Sequence, residues 1–421
     1  MVDTATAPTR EIGYGSSSSG AGWWGLDDAL YEPTPELRWP LSIRVYDSMR
    51  RQDAQVASVL RAVTLPIRRT QWRIDGSGCR PEVAQLVADD LGLALIGADP
   101  MAPTLRTKDR FSWSEHLQMA LLMLPYGHMF FEQVYRLDDS GAARLRKLAP
   151  RMPRSLVAIH VAADGGLLSI QQNAPLGMGG PLATIPVNRL VAYVNDREGG
   201  NWLGTSLLRT CYKNWLIKDR LLRVQAQTIE RNGMGVPLYI GQEGASEEDL
   251  IKGAALAQAW RAGENAGASV PHGANLLLKG VDGKLPQPAD DAIRYHDEQI
   301  ARAVLAHFLN LGTQTGSWAL GSTFADFFTL SLQSVAEAVR DIANAHVVED
   351  LVDVNFGPTE PAPRIVFDEI GSQRNATADA IKMLIDAGVI FPDRTLEDFV
   401  RNAYGLPAKS PAPGSSPGGA Q

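Results

Sequence analysis

Apolar residues recur at helical spacing over about Leu41–Val63. Tyr46, Met49, Val56, Leu60 and Val63 stand three or four residues apart, or at multiples of that, around a polar patch of Arg50, Arg51, Gln52 and Asp53. The spacing predicts one amphipathic helix, ended by Pro66, with a strand at Gln71–Ile74. A second helix is signalled at Ser112, which with Glu115 makes a capping box. Trp113, Leu117, Ala120, Leu121 and Leu124 form its apolar face, and Pro125 and Gly127 break it. Alternation then replaces the helical period. Met129–Arg136 reads as a strand with Phe131 and Tyr135 on one side. Leu156–Val161 and Leu167–Gln171 flank Asp164-Gly165-Gly166, a hairpin signal, and Leu190–Val194 is a further strand. Residues 31–204 therefore read as one α+β unit.

The period lengthens beyond this point. Thr205–Arg231 predicts a helix about 40 Å long at 1.5 Å per residue, with Leu208, Tyr212, Trp215, Leu222 and Ile229 roughly on one face. It carries Arg209, Lys213, Lys218, Arg220, Arg223 and Arg231 against Asp219 and Glu230. That bias fits either a solvated basic face or a helix beside an anionic polymer. Gly233 and Gly235 end it. Val236–Gly241 and Ala274–Leu278 read as strands around a helix at Ser246–Ala262, whose Glu247-Glu248-Asp249 start suits a helix N-terminus. This small αβ insert is followed by a helix over about Ala289–Leu309 and a longer one over Phe327–Leu351. The spine of the longer helix is Phe328, Leu332, Val335, Val339 and Ile342, continued by His346. Short helices follow at Ala376–Ala387 and Leu396–Tyr404, stopped by Gly388 and by Gly405-Leu406-Pro407.

The two ends lack such patterns. Ser16–Ser19 and Gly20 mark a mobile arm, after which Trp23 and Trp24 either pack ordinarily or anchor the arm on a neighbouring subunit. Ser410–Gln421 is rich in Pro, Gly and Ser and reads as disordered. Residues 1–11 show no signal peptide. Ala303–Ala325, 23 residues without Asp, Glu, Lys or Arg, is too rich in Gly, Thr and amides for a membrane helix. A soluble protein is expected.

With 421 residues, 45% of them hydrophobic, the chain can bury a large core. Its formal net charge of -7 argues against gripping nucleic acid by bulk electrostatics. It leaves room for a protein that nucleic acid merely passes. Cys79 and Cys211 have no metal-like spacing and read as free thiols. None of the seven histidines makes an H-E-x-x-H pair or joins a cysteine cluster, and His116 and His128 read as structural. Gly177-Met178-Gly179-Gly180 lacks the lysine and the following helix of a phosphate loop. No G-x-S-x-G occurs, and the adjacent Asp290 and Asp291 fit a helix start better than a metal site. The expectation is no enzyme, no cofactor and no metal.

Four stretches resemble the portal proteins of tailed bacteriophages, in particular the Mu-like branch. They are Tyr46-Asp47-Ser48-Met49-Arg50-Arg51-Gln52-Asp53-Ala54-Gln55-Val56 with Gln71-Trp72-Arg73-Ile74; Tyr126-Gly127-His128-Met129-Phe130-Phe131-Glu132; Tyr295 to Leu305 with Gly316 to Phe324; and Val354-Asn355-Phe356-Gly357. Asp386-Ala387-Gly388 and Tyr404-Gly405-Leu406-Pro407 also match, so the resemblance spans roughly residues 30–405. It implies a portal fold in which 1–30 is a flexible arm and 31–204 an α+β wing. Residues 205–232 and 289–309 would be the two stem helices, with 233–288 a small αβ clip between them. Residues 310–325 would be a tunnel loop, 326–371 the return to the wing, 372–405 a short helical crown and 406–421 a disordered tail.

The resemblance also implies a ring, usually of twelve subunits, at the capsid vertex of the virion. Double-stranded DNA would pass through it during packaging and ejection. Implied partners are the terminase, the major capsid and scaffolding proteins and the head–tail connector, with synthesis in the host cytoplasm and no membrane. Thr313, Gln314, Thr315 and Ser317 would face the channel, Lys213, Lys218, Arg220 and Arg223 would form a basic stem face, and Trp215 and Leu222 would sit at the subunit interface. The acidic total fits a conduit, because every phosphate neutralised by Lys or Arg adds salt-sensitive affinity. The alternatives are another head–tail adaptor or scaffold component of a virion, or a hydrolase of unknown type; particle mass separates them.

Overall fold

The computed structural model describes residues 11–13, 32–98, 111–173, 180–234, 236–259, 269–279, 289–304, 318–371 and 385. The chain divides into two compact units, Met1–Ile370 and Gly371–Gln421. Of the second unit only Gly371 and Ile385 are described. The crown helices expected at 376–387 and 396–404, the disordered tail at 406–421 and Trp23-Trp24 of the arm lie outside the described residues.

The first helical stretch is two helices, α1 (Leu41–Gln52) and α2 (Ala54–Arg69). Asp53 between them is extended, at φ -105 and ψ 122, and its side chain accepts from the amides of Gln55 and Val56, 2.8 and 3.0 Å away. An aspartate that satisfies two orphan amides starts a new helix where periodicity alone continues the old one. Pro66 does not end α2, which runs on to Arg69. The turn beyond Pro66 is held because Ile67 is fully buried in the main core and the Thr70 amide closes on the Pro66 carbonyl.

Strand β1 (Trp72–Asp75) lies between β11 (Arg364–Phe367), antiparallel, and the short β2 (Ala94–Leu95), parallel. Helix α3 (Pro81–Leu91) joins β1 to β2, buries Val83, Val87 and Leu91, and ends at Gly92 in the left-handed region. Helices α4 (Trp113–Ala120) and α5 (Met123–Tyr126) lead to a three-stranded central sheet. There β3 (His128–Leu137) pairs antiparallel with both β4 (Ala143–Arg151) and β8 (Leu190–Val194). The alternation of β3 puts Met129 and Phe131 into the main core and Phe130 into a third cluster under β5 (Leu156–Val161), β6 (Leu167–Gln172) and β7 (Ala183–Pro186). Gly165, at φ 87, makes the β5–β6 turn as expected.

Helix α6 (Tyr212–Met234) starts later than the periodicity implied. Residues 205–211 are turns, because their polar groups are used across the chain. Thr205 N–H donates to the Asn195 carbonyl, the Ser206 hydroxyl to the Pro125 carbonyl, and Leu207 N–H to the Leu124 carbonyl. Beyond α6, β9 (Val236–Ile240) and β10 (Asn275–Lys279) form a two-stranded antiparallel sheet beside α7 (Glu247–Gln258), which Ser246 caps. Helix α8 (Asp290–Ala303) returns along α6. Helix α9 (Trp318–Ala343) begins inside the stretch expected as a tunnel loop, so 318–325 are helical. It passes through a π-helical turn (Asn344–Val348) into α10 (Glu349–Phe356), past the Leu351 end that periodicity suggested. The Asn344 amide side chain brackets Ile365 of β11, accepting from its N–H at 2.7 Å and donating to its carbonyl at 3.3 Å.

Candidate functional site at the root of the helix pair

Three of the segments that carry the family resemblance, around Asp53, Tyr126 and Asp297, are far apart in sequence and come together where α6 and α8 join the α+β body. Lys218 of α6 is the centre of that meeting. Its ammonium lies 3.0 and 2.9 Å from the two carboxylate oxygens of Asp53, the cap of α2, and 2.5 Å from Oδ1 of Asp297 on α8. Its side chain is 8% exposed. Burial alone would lower the lysine pKa, but the hydrogen bonds and charges of Asp297 and Asp53 outweigh it and hold the pKa above its ordinary value. One buried cation thus ties three helices together, and the trio carries a net charge of minus one.

A second cluster lies nearly two turns back, on α1. Asp47 accepts from the Tyr126 hydroxyl and pairs with Arg50, Arg51 and Arg154, the last at 3.1 Å. Partial burial pushes the Asp47 carboxyl up, yet the Tyr126 hydrogen bond and the three arginines bring it below the usual carboxylate value. Next to Tyr126, Gly127 has φ 90, and a Cβ there would stand 2.4 Å from the Leu203 carbonyl oxygen. Gly204, at φ 61, would place a Cβ 2.4 Å from the Gly127 carbonyl oxygen. Only two glycines let these backbones cross so closely. His128 Nδ1 then donates to the Leu203 carbonyl at 2.9 Å, and the ring, completely buried, has its pKa pushed down to about 4 by desolvation. The fourth family segment is tied in separately: Asn355 of α10 accepts from the Ala143 amide and donates to the Ala143 carbonyl, both at 2.8 Å.

Along the helix pair, Asn214 meets His296 at 3.0 Å, Gln225 donates to Asp290 at 2.6 Å, and Cys211 is buried against the Ile300 carbonyl. Burial pushes the Cys211 thiol up to about 11, so it is neutral and unreactive. His116, enclosed by Phe111, Trp113, Phe131 and Tyr193, has its pKa pushed down to about 3 by desolvation. Both histidines are neutral core residues. Among the described residues no group of His, Cys, Asp and Glu could hold a metal ion, and no helix is long and apolar enough to cross a membrane.

Of the expected basic face, Lys213, Arg220 and Arg223 are exposed, with Arg223 paired to Asp219 of its own helix. Lys218 is a correction: it points into the body, because Asp53 and Asp297 compensate its charge there. Trp215 packs with Tyr212 on the second core cluster of its own subunit, while Leu222 is 44% exposed. Thr313, Gln314, Thr315 and Ser317 lie outside the described residues. Sequence reasoning missed Asp53 as a cap. The signal was an aspartate directly before a fresh apolar repeat at Val56, Val59 and Val63.

The family described as the portal protein of Mu bacteriophage matches residues 43–406. This chain belongs to the Mu portal family. It is a portal protein, and its role is that of a DNA-packaging portal. No curated protein sequence matches it, but solved structures share its fold. The virion of a native gene transfer agent contains a chain 12% identical, at a TM-score of 0.54, with 87% of this chain and 94% of that one covered. The neck of the empty gene transfer agent particle, computed with C6 symmetry, is 12% identical at 0.55, and the neck of the native particle, computed with C12 symmetry, is 10% identical at 0.53. Both have the same coverage. At such identities the likeness is one of fold.

Proposed function

We propose that this portal chain assembles head to tail into a ring of twelve at the capsid vertex, and that double-stranded DNA enters and leaves the virion through its centre. The observation that carries this reading is the family match over residues 43–406, joined to the likeness with a neck computed with C12 symmetry. In this reading the α+β body and α9–α10 are the wing, α6 and α8 the stem, and the unit of β9, α7 and β10 the clip. The tunnel loop is the stretch before Trp318, and the crown lies within 372–405.

Surface chemistry supports it. Leu216, Ile217, Leu222, Val224 and Ile229 of α6 and Tyr295 of α8 are exposed. At 1.5 Å per residue α6 is about 35 Å long and α8 about 21 Å, and so much apolar side chain along one helix pair is an association surface that neighbouring copies in a ring would cover. The clip likewise exposes Leu238, Ile240 and Leu277 on a two-stranded sheet that is marginal alone, and Leu250 and Ile251 on α7. The clip docks the terminase and later the head–tail connector. The capsid and scaffolding proteins receive the ring as the head assembles, and synthesis is in the host cytoplasm.

In-vitro packaging tests the assignment. Heads built with a chain lacking 241–263 should form but take up no DNA. Packaging at the normal rate by that deletion would refute the clip as the motor's docking surface.

A further inference from the structure

A cleft of about 730 Å³ opens beside the first turn of α4, away from the helix pair. Its walls include Arg68 and Arg69 from the end of α2, Trp72 of β1, and Ser112, Trp113 and Ser114 at the start of α4. No Asp or Glu is among the described residues that line it. Glu115, in the first turn of α4, is not in the lining.

The donors here outnumber the acceptors that use them. The indole N–H of Trp113 is buried and has no partner, on a residue 5% exposed. Nε of Arg68 is also buried without a partner, although its Nη2 donates to Gln118 at 2.7 Å. Arg69, Ser112 and Ser114 are exposed, and Arg69 forms no ion pair among the described residues. The α4 N-terminus adds amide N–H groups and the positive end of the helix dipole. A buried donor without an acceptor costs roughly 1–3 kcal/mol. Two of them, with no carboxylate among the described lining residues, call for an anionic acceptor from outside.

We propose that this cleft is a docking site for a carboxylate-rich segment of a partner protein. One carboxylate sits between the Arg68–Arg69 pair and the first turn of α4, within reach of the Ser112 and Ser114 hydroxyls. A protein segment fits better than nucleic acid for two reasons. The cation supply is two arginines, one already tied to Gln118, where a phosphodiester chain needs a continuous basic track. The net charge of -7 also repels a long polyanion while leaving a short-range, directional carboxylate site effective. The inference does not depend on the ring.

The test uses the full-length assembled protein and a fluorescein-labelled tetraglutamate peptide, with binding read by anisotropy at low salt. The expected result is saturable binding that Arg69→Glu weakens by at least about tenfold. Arg69→Gln should weaken it less, and Arg61→Glu, on α2 outside the cleft, should leave it unchanged. Circular dichroism of each variant guards against misfolding. Three results would each overturn the proposal. One is no saturable binding by the wild type. Another is equal weakening by Arg61→Glu, which means diffuse attraction. The third is a single-stranded oligonucleotide that binds more tightly than the peptide and is lost with Arg69, which makes this a nucleic-acid site.

Discussion

Replacing Lys218 by methionine keeps most of the stem's volume and removes its charge. Asp53 and Asp297 then face each other without the cation that lies 2.9 Å from one and 2.5 Å from the other. Breaking a buried pair by removing one partner costs about 3–5 kcal/mol. The lower end applies here, because Asp53 keeps its hydrogen bonds from Gln55 and Val56 and the Asp297 side chain is 30% exposed and reaches water. A loss of about 3 kcal/mol is expected for Lys218→Met, read by urea unfolding at fixed protein concentration. The triple variant Lys218→Met, Asp53→Asn, Asp297→Leu should recover to within about 1 kcal/mol of wild type, since asparagine still caps α2 and no charge is left buried. The lysine pKa is raised in the folded state, so its contribution is full below the ordinary value of 10.5 and fades as pH rises through the folded value. Wild type and Lys218→Met should therefore converge in strong alkali. A single variant that loses less than about 1 kcal/mol, or a triple variant as damaged as the single, would refute the view that the trio joins the stem to the body by charge.

The two buried histidines set the acid response. Their folded pKa values of about 3 and about 4 lie below the unfolded value of 6.5, so the unfolded chain binds more protons below pH 6.5 and stability falls as pH drops. Thermal melts from pH 8 to 5, above the carboxylate range, should be flat to ~6.5 and then decline by up to ~1.4 kcal/mol per pH unit for each histidine; a flat profile throughout would contradict neutral burial. Gly127→Ala should cost more than about 2 kcal/mol, combining a positive φ with a Cβ 2.4 Å from a backbone oxygen, and an unfolding midpoint like wild type would show that the crossing can relax. At Gln314, substitution by arginine should slow DNA uptake in a salt-dependent way while rings still form; packaging at the wild-type rate in low salt would remove Gln314 from the channel wall.

The parts legible in the sequence are those governed by local period. The alternation of Met129–Arg136, the turn at Gly165 and the spine Phe328, Leu332 and Val339 all appear in the fold. What was not legible depends on distant partners. Strand β4 contains Arg144, Arg146 and Lys147 and is not among the strands predicted from the sequence; it is a strand because β3 pairs with it through a register shift between Val134 and Tyr135. Strand β11 is four residues whose place is fixed by β1 and Asn344. Lys218 stands about 140–160° around α6 from its exposed basic neighbours Lys213, Arg220 and Arg223, and what compensates its charge on the inner face is Asp53, 165 residues away. A helical wheel shows the charge of such a residue but not its partner. The same limit holds for the cleft beside α4, where residues from α2, β1 and α4 converge only after folding.

End-on electron microscopy of the purified full-length protein tests the portal reading most directly. The account predicts closed rings of twelve subunits around a central channel, with a particle mass near twelve times the 45.6 kDa chain. Monomers, or small oligomers of twofold symmetry without a channel, would contradict it.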